Sequence, residues 1–172
     1  MDLRPLIRTI PDFPREGVMF RDITTLFAHG AGFAHAVDRM TAPFTESAID
    51  VVAAIEARGF IPGGAVARQL QAAFVAIRKK GKLPRPAIGE DYELEYGIDR
   101  IEIHHDAVRE GARVLVVDDL IATGGTAMAA VRLLRRANAN IVGASFVIDL
   151  PALGGADRVR QLGVPCHSLV SF

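Results

Sequence analysis

Two adjacent carboxylates, Asp118 and Asp119, follow the apolar run Val114, Leu115, Val116, Val117 and precede Ala122, Thr123, Gly124, Gly125 and Thr126. Burying an ionised carboxylate without a partner costs several kcal/mol, so the pair is expected at the carboxyl end of a buried parallel strand, where open α/β sheets bind ligands. The glycines are free to take positive φ, hydroxyls flank them, and an alanine-rich helix is expected over residues 127–138. Backbone N–H groups of such a turn and of the helix start converge on an anion. The acids beside it accept hydrogen bonds from hydroxyls. A sugar phosphate meets both halves. A helix cap alone needs one Asp, Ser or Thr rather than two adjacent acids. A nucleotide-triphosphatase strand would come with G-x-x-x-x-G-K-[ST], which is absent, and no G-x-G-x-x-G follows a strand.

A second group of charges surrounds Arg58. Residues 56–64 read E-A-R-G-F-I-P-G-G, an arginine at a strand end in a glycine-rich turn ahead of a helix expected over 65–71. Glycines let the backbone approach an anion, and a planar guanidinium matches phosphate oxygens. Arg78, Lys79, Lys80, Lys82 and Arg85 crowd the end of another strand, 72–77. In a neutral chain a cationic cluster beside an anion site has an evident partner. The neighbouring His104 and His105 do not make a metal pair, because adjacent strand residues point to opposite faces.

The elements that must position these groups follow from pattern. With 172 residues, 50% of them hydrophobic, the chain buries one core, and 1–172 is read as one domain. Twenty basic and twenty acidic side chains cancel, so no overall field favours nucleic acid or a membrane surface. Cys166, alone, forms no internal disulfide, and the first residues lack a long apolar segment, which fits a cytoplasmic enzyme. Residues 10–27 hold two prolines and Gly17 and are expected to be irregular up to about Asp22, with Phe13 packed on the core. A helix is expected over 31–44, and strands over 50–55, 140–150 and 166–170, with a short helix at 157–161. Residues 84–92 read as a mobile cover, and 93–105 as an antiparallel ribbon in which Ile101 and Ile103 share a face. Strands alternating with helices indicate an α/β fold with a mostly parallel twisted sheet.

Residues 114–126, V-L-V-V-D-D-L-I-A-T-G-G-T, resemble the phosphoribosyl pyrophosphate (PRPP) signature of the type I phosphoribosyltransferases. Residues 10–24, I-P-D-F-P-R-E-G-V-M-F-R-D-I-T, are similar to the hood that adenine phosphoribosyltransferases fold over the purine. E-A-R-G-F at 56–60 resembles that family's pyrophosphate loop, I-R-K-K-G-K-L-P at 77–84 the stretch before its lid, and Y-E-L-E-Y-G at 92–97 its catalytic segment. The likeness spans roughly residues 10–170, with less typical residues at Pro62, Gly64 and 68–71. It implies transfer from PRPP to adenine, giving AMP and pyrophosphate through an oxocarbenium-like transition state. By the same likeness Phe20 stacks on the base, the backbone beside Met19 reads its edge, Arg21 and Asp22 hold the hood, and Leu150 covers the other purine face. Ala57, Arg58, Arg78 and Lys82 take pyrophosphate. Asp118 and Asp119 take ribose hydroxyls, and Ala122, Thr123, Gly124, Gly125 and Thr126 take the 5-phosphate. Glu95 and Tyr96, with Arg58, are the implied catalytic residues. Mg²⁺ arrives with PRPP, touching Asp118 or Asp119 through water and no side chain directly. A homodimer is implied. Two other readings stay open: transfer to hypoxanthine or xanthine, and a PRPP-sensing regulator that binds nucleic acid.

Overall fold

The computed structural model describes residues 1–93 and 97–172. In chain order its elements are β1 (Arg8–Ile10), β2 (Phe20–Asp22), α1 (Thr24–Phe27), α2 (Gly30–Thr41), β3 (Val51–Ile55), α3 (Phe60–Leu70), β4 (Ala73–Lys79), β5 (Ala87–Glu93), β6 (Ile98–His104), β7 (Arg113–Ile121), α4 (Gly125–Arg136), β8 (Asn140–Asp149), α5 (Gly155–Gln161) and β9 (Cys166–Ser171). Seven strands form one sheet in the order β5-β6-β4-β3-β7-β8-β9, and β1 pairs with β2 apart from it. The strands β4, β3, β7, β8 and β9 run parallel, while β5 and β6 add an antiparallel edge. This is the mostly parallel α/β sheet expected from the pattern.

All five residues of β3 are buried, because a parallel sheet is covered on both faces. Successive side chains serve opposite cores. Val51, Ala53, Val114 and Val116 meet the Ala/Leu face of α4 and α5, while Val52, Leu115 and Val117 meet α2 and α3.

Four local expectations are corrected. The helix after β3 begins at Phe60 rather than residue 65. Pro62 is tolerated in its first turn, where a missing N–H has no helical partner anyway. Gly63 brings that helix close to β3, since a Cβ there would sit 2.4 Å from the Ala54 Cβ. Residues 87–92, expected as part of a mobile cover, belong with Glu93 to the first strand of the ribbon and pair with β6 along their length. Buried Tyr92 inside and exposed Asp91 outside give that strand its alternation. Ile101 and Ile103 are both buried, as their spacing predicts. Residues 20–22, inside the segment read as irregular, pair with residues 8–10 at its start as a small antiparallel ribbon. Phe13 is 50% exposed and packs edge-on against Phe20 rather than into the core.

Candidate active site

The site is built where β7 outruns its neighbour. The last pairing of β7 with β3 is Val117 with Ala54, but its pairing with β8 continues to Ile121 with Asp149. Asp118 and Asp119 therefore lie near the carboxyl end of the strand, as expected, and still within its pairing with β8. β8 keeps their backbone paired on one side, and the turn after β3 takes the other. A Cβ on Gly59 would fall 2.5 Å from Asp118 Oδ1 and 2.4 Å from the Ile55 carbonyl oxygen, so only glycine lets that turn lie against the acid. The Asp119 N–H donates to Asp118 Oδ1 at 2.8 Å, and Arg58 Nε donates to Asp119 Oδ2 at 2.6 Å. Burial, and then the Asp119 charge beside it, push the Asp118 carboxyl well above the usual carboxylate range.

The next residues wrap a cavity of about 200 Å³ lined by Asp118 and residues 120–127. Gly124 takes φ +83° and α4 starts at once after it, so the turn and the helix start face the same space. Residues beyond the motif hold this loop. The Gly155 N–H donates to the Ala122 carbonyl at 3.0 Å, and Arg158 Nη1 donates to the Thr123 carbonyl at 2.6 Å. Gly155 and Arg158 were not anticipated. Their sole sequence signal is the Gly154-Gly155 pair ahead of a helix.

Glu56 gathers the basic residues expected at pyrophosphate. Arg78 Nε donates to Glu56 Oε2 at 2.6 Å, and Lys82 Nζ lies 3.8 Å from Oε1. Burial works against this charge, yet Arg78, a backbone N–H and Lys82 together hold the Glu56 carboxyl below its ordinary range. Ala57 and Arg58 follow directly, across a cis Glu56–Ala57 peptide. Lys79 is engaged elsewhere, with Tyr92 and Asp99, and Arg85 pairs with Asp106.

A second cleft, of about 660 Å³, lies between Pro14, Arg15, Gly17, Val18 and Met19 on one side and Leu150 and Leu153 on the other. Met19 and Leu150 meet here as expected, and Leu153 was missed. Phe20 does not line this cleft; its ring centroid is 5.0 Å from that of Phe13. Asp22 accepts from the Thr24 N–H and hydroxyl and pairs with Arg8 at 3.3 Å, which ties β2 to α1 and β1. The Thr24 bonds hold the Asp22 carboxyl below its usual range. The two clefts share a wall, because the Leu150 N–H donates to the Ile121 carbonyl at 3.0 Å, one residue before the glycine loop.

Glu95 and Tyr96 lie outside the described residues. The strand leading to them ends at the glycine loop: a Cβ on Gly125 would lie 3.4 Å from the Glu93 carbonyl oxygen. Among the described residues no three His, Cys, Asp or Glu side chains converge on a metal position, and no helix is long and apolar enough to cross a membrane.

Residues 23–165 match the model of the phosphoribosyl transferase domain. The chain is 60% identical over 172 residues to the adenine phosphoribosyltransferase of Maricaulis maris, covering 100% of this chain and 98% of that one. Its structure is similar to that of adenine phosphoribosyltransferase from Rhodothermus marinus, with TM-score 0.94, 48% identity and coverage of 99% and 96%. It is also similar to the Saccharomyces cerevisiae enzyme complexed with adenine and an imino-altritol bisphosphate, with TM-score 0.91, 36% identity and coverage of 98% and 96%.

Proposed function

The chain belongs to the phosphoribosyl transferase family, among its adenine phosphoribosyltransferases, and from that premise we propose how its residues divide the work. The reaction is purine salvage: the 5-phosphoribosyl group passes from PRPP to adenine, giving AMP and pyrophosphate. One observation carries the assignment of parts. A largely apolar cleft with ample room for a purine and a smaller cleft lined by a glycine loop share the Ile121–Leu150 hydrogen bond. A base in the first and a ribose 5-phosphate in the second would therefore meet at one bond.

The glycine loop, residues 122–126, holds the 5-phosphate through backbone N–H groups. Asp118 and Asp119 accept from the ribose hydroxyls, with Arg58 beside Asp119 close enough to follow charge onto the leaving pyrophosphate. The backbone of Ala57 and Arg58, with Arg78 and Lys82 leaning on Glu56, receives that group. Mg²⁺ bound through PRPP oxygens would neutralise pyrophosphate, with Asp118 or Asp119 holding its waters; two adjacent acids beside the glycine loop suit such a borrowed ion. Met19 and Leu150 enclose the base, Phe20 and Arg21 support the hood, and Glu95 accepts or relays the proton that adenine loses, with Tyr96 beside it. The chain works as one domain, in the cytoplasm, and as a homodimer. Ile61 and Phe74, 47% and 43% exposed on α3 and β4, offer apolar surface for a second copy, and sedimentation reads the mass.

The test is one assay of adenine, hypoxanthine, guanine and xanthine with PRPP and Mg²⁺. A hood that accepts from the 6-amino group and donates to N1 meets the reverse pattern in hypoxanthine. Two mismatched buried hydrogen bonds amount to roughly 10⁴-fold discrimination. Comparable rates on adenine and hypoxanthine would remove the hood from base selection.

A further inference from the structure

Arg21, in β2, has its guanidinium carbon 4.2 Å from the centroid of the Phe172 ring, well inside cation–π range. Its Nη1 donates to Thr9 Oγ1 on β1, while its Nε is buried with no hydrogen-bond partner among the described residues. The face of Phe172 therefore supplies much of what orients this guanidinium. Phe172 is fixed in turn. It packs against the apolar cluster of Ile148, Leu169 and Val170, and its N–H donates to the Asp149 carbonyl at 3.2 Å. Asp149 is the residue before Leu150, the wall of the base cleft opposite the hood. A short physical path thus runs from the hood strand to the opposite wall: Arg21, the Phe172 ring, the Asp149 backbone, Leu150.

We propose that Phe172 is a positioning residue for base binding: its ring is the shelf on which Arg21 rests, and so it sets the gap between the hood and Leu150. The inference rests on reading that cleft as the adenine site. Phe172 touches no reacting atom, and its effect should fall on adenine and not on PRPP, whose loop is held separately by Gly155 and Arg158.

The experiment compares Phe172→Leu, which keeps apolar volume without a π face, with Phe172→Tyr, which keeps the ring. Phe172→Leu should raise KM for adenine roughly three- to tenfold, the loss of a half-desolvated cation–π contact, with KM for PRPP unchanged. Phe172→Tyr should match wild type. Arg21→Lys, with Phe172 intact, should show the same split, and it serves as the probe should the Leu variant fail to fold. An adenine KM in Phe172→Leu within 1.5-fold of wild type, equal effects of Leu and Tyr, or a parallel rise in both KM values would each overturn the proposal. A wild-type protein that does not use adenine would instead overturn the reading beneath it.

Discussion

Replacing Gly155 with alanine tests the phosphate loop through a residue that touches no substrate. Gly155 opens α5 without a positive φ, so alanine suits its backbone, and in an open helix the change would stabilise by about 0.5–1 kcal/mol. Space is the obstacle. The new Cβ would lie 2.3 Å from the Ala122 carbonyl oxygen, 2.6 Å from the Gly124 nitrogen and 2.9 Å from the Thr123 carbonyl carbon, all backbone atoms of the loop. No flexible side chain can swing aside, so the loop must retreat by about 1 Å, and a misplacement of that size costs on the order of 10²-fold in rate. The expected result is a fall of about 100-fold in kcat/KM for PRPP. The thermal midpoint should drop by the equivalent of about 1–3 kcal/mol of overpacking, with KM for adenine little changed. Gly64→Ala is the control: it is exposed on α3, meets nothing within 4 Å, and should keep wild-type kinetics and an equal or higher midpoint. Steady-state kinetics in both substrates and a melting curve suffice. If Gly155→Ala kept kcat/KM for PRPP within threefold of wild type, residues 122–126 would not be a rigid phosphate cradle.

Two further outcomes follow from the acids. The Asp118 carboxyl is pushed up on folding, so the folded state carries a penalty that is absent below the ordinary carboxylate range and grows as pH rises through the raised value. Asp118→Asn should therefore raise the thermal midpoint at pH 7 but not at about pH 3, while PRPP use falls; an unchanged midpoint at pH 7 would contradict this. Glu95→Gln should bind PRPP normally while turnover drops about 100-fold, with Glu93→Gln mild; turnover within threefold of wild type would assign the proton to water.

The sheet was legible because its signal is local. Runs such as Val51 to Ile55 and Val114 to Val117 are apolar without interruption, and little but a strand buried on both faces explains them. The turn that lines the smaller cavity was legible for the same reason: acids, hydroxyls and glycines sit within ten positions. What escaped depends on contacts distant in sequence. Gly155 lies 31 positions from Gly124, and nothing nearby says that their backbones touch. Arg158 reads as an ordinary helix arginine until the Thr123 carbonyl is found in front of it. The start of α3 was misplaced because glycine and proline are turn formers by propensity. Here they are helix residues, and of them Gly63 is kept small by its close approach to Ala54.

The place of the acids in β7 carries a physical lesson about the site itself. A carboxylate past a strand end would be solvated and cheap, but it would also be free to move. Keeping Asp118 and Asp119 inside β7 fixes their backbone by pairing with β8, and Gly59 against Asp118 leaves the side chain little room. The cost is desolvation of a charge, consistent with the raised Asp118 carboxyl, and among the described residues only Asp119 of the pair has a cation, Arg58, at hydrogen-bond distance. A ligand that brings hydroxyl donors and a divalent cation relieves the uncompensated charge. One that lacks either relieves it less. Stability withheld from the folded chain at Asp118 is in this way available to a ligand, because binding can recover what folding left unsatisfied.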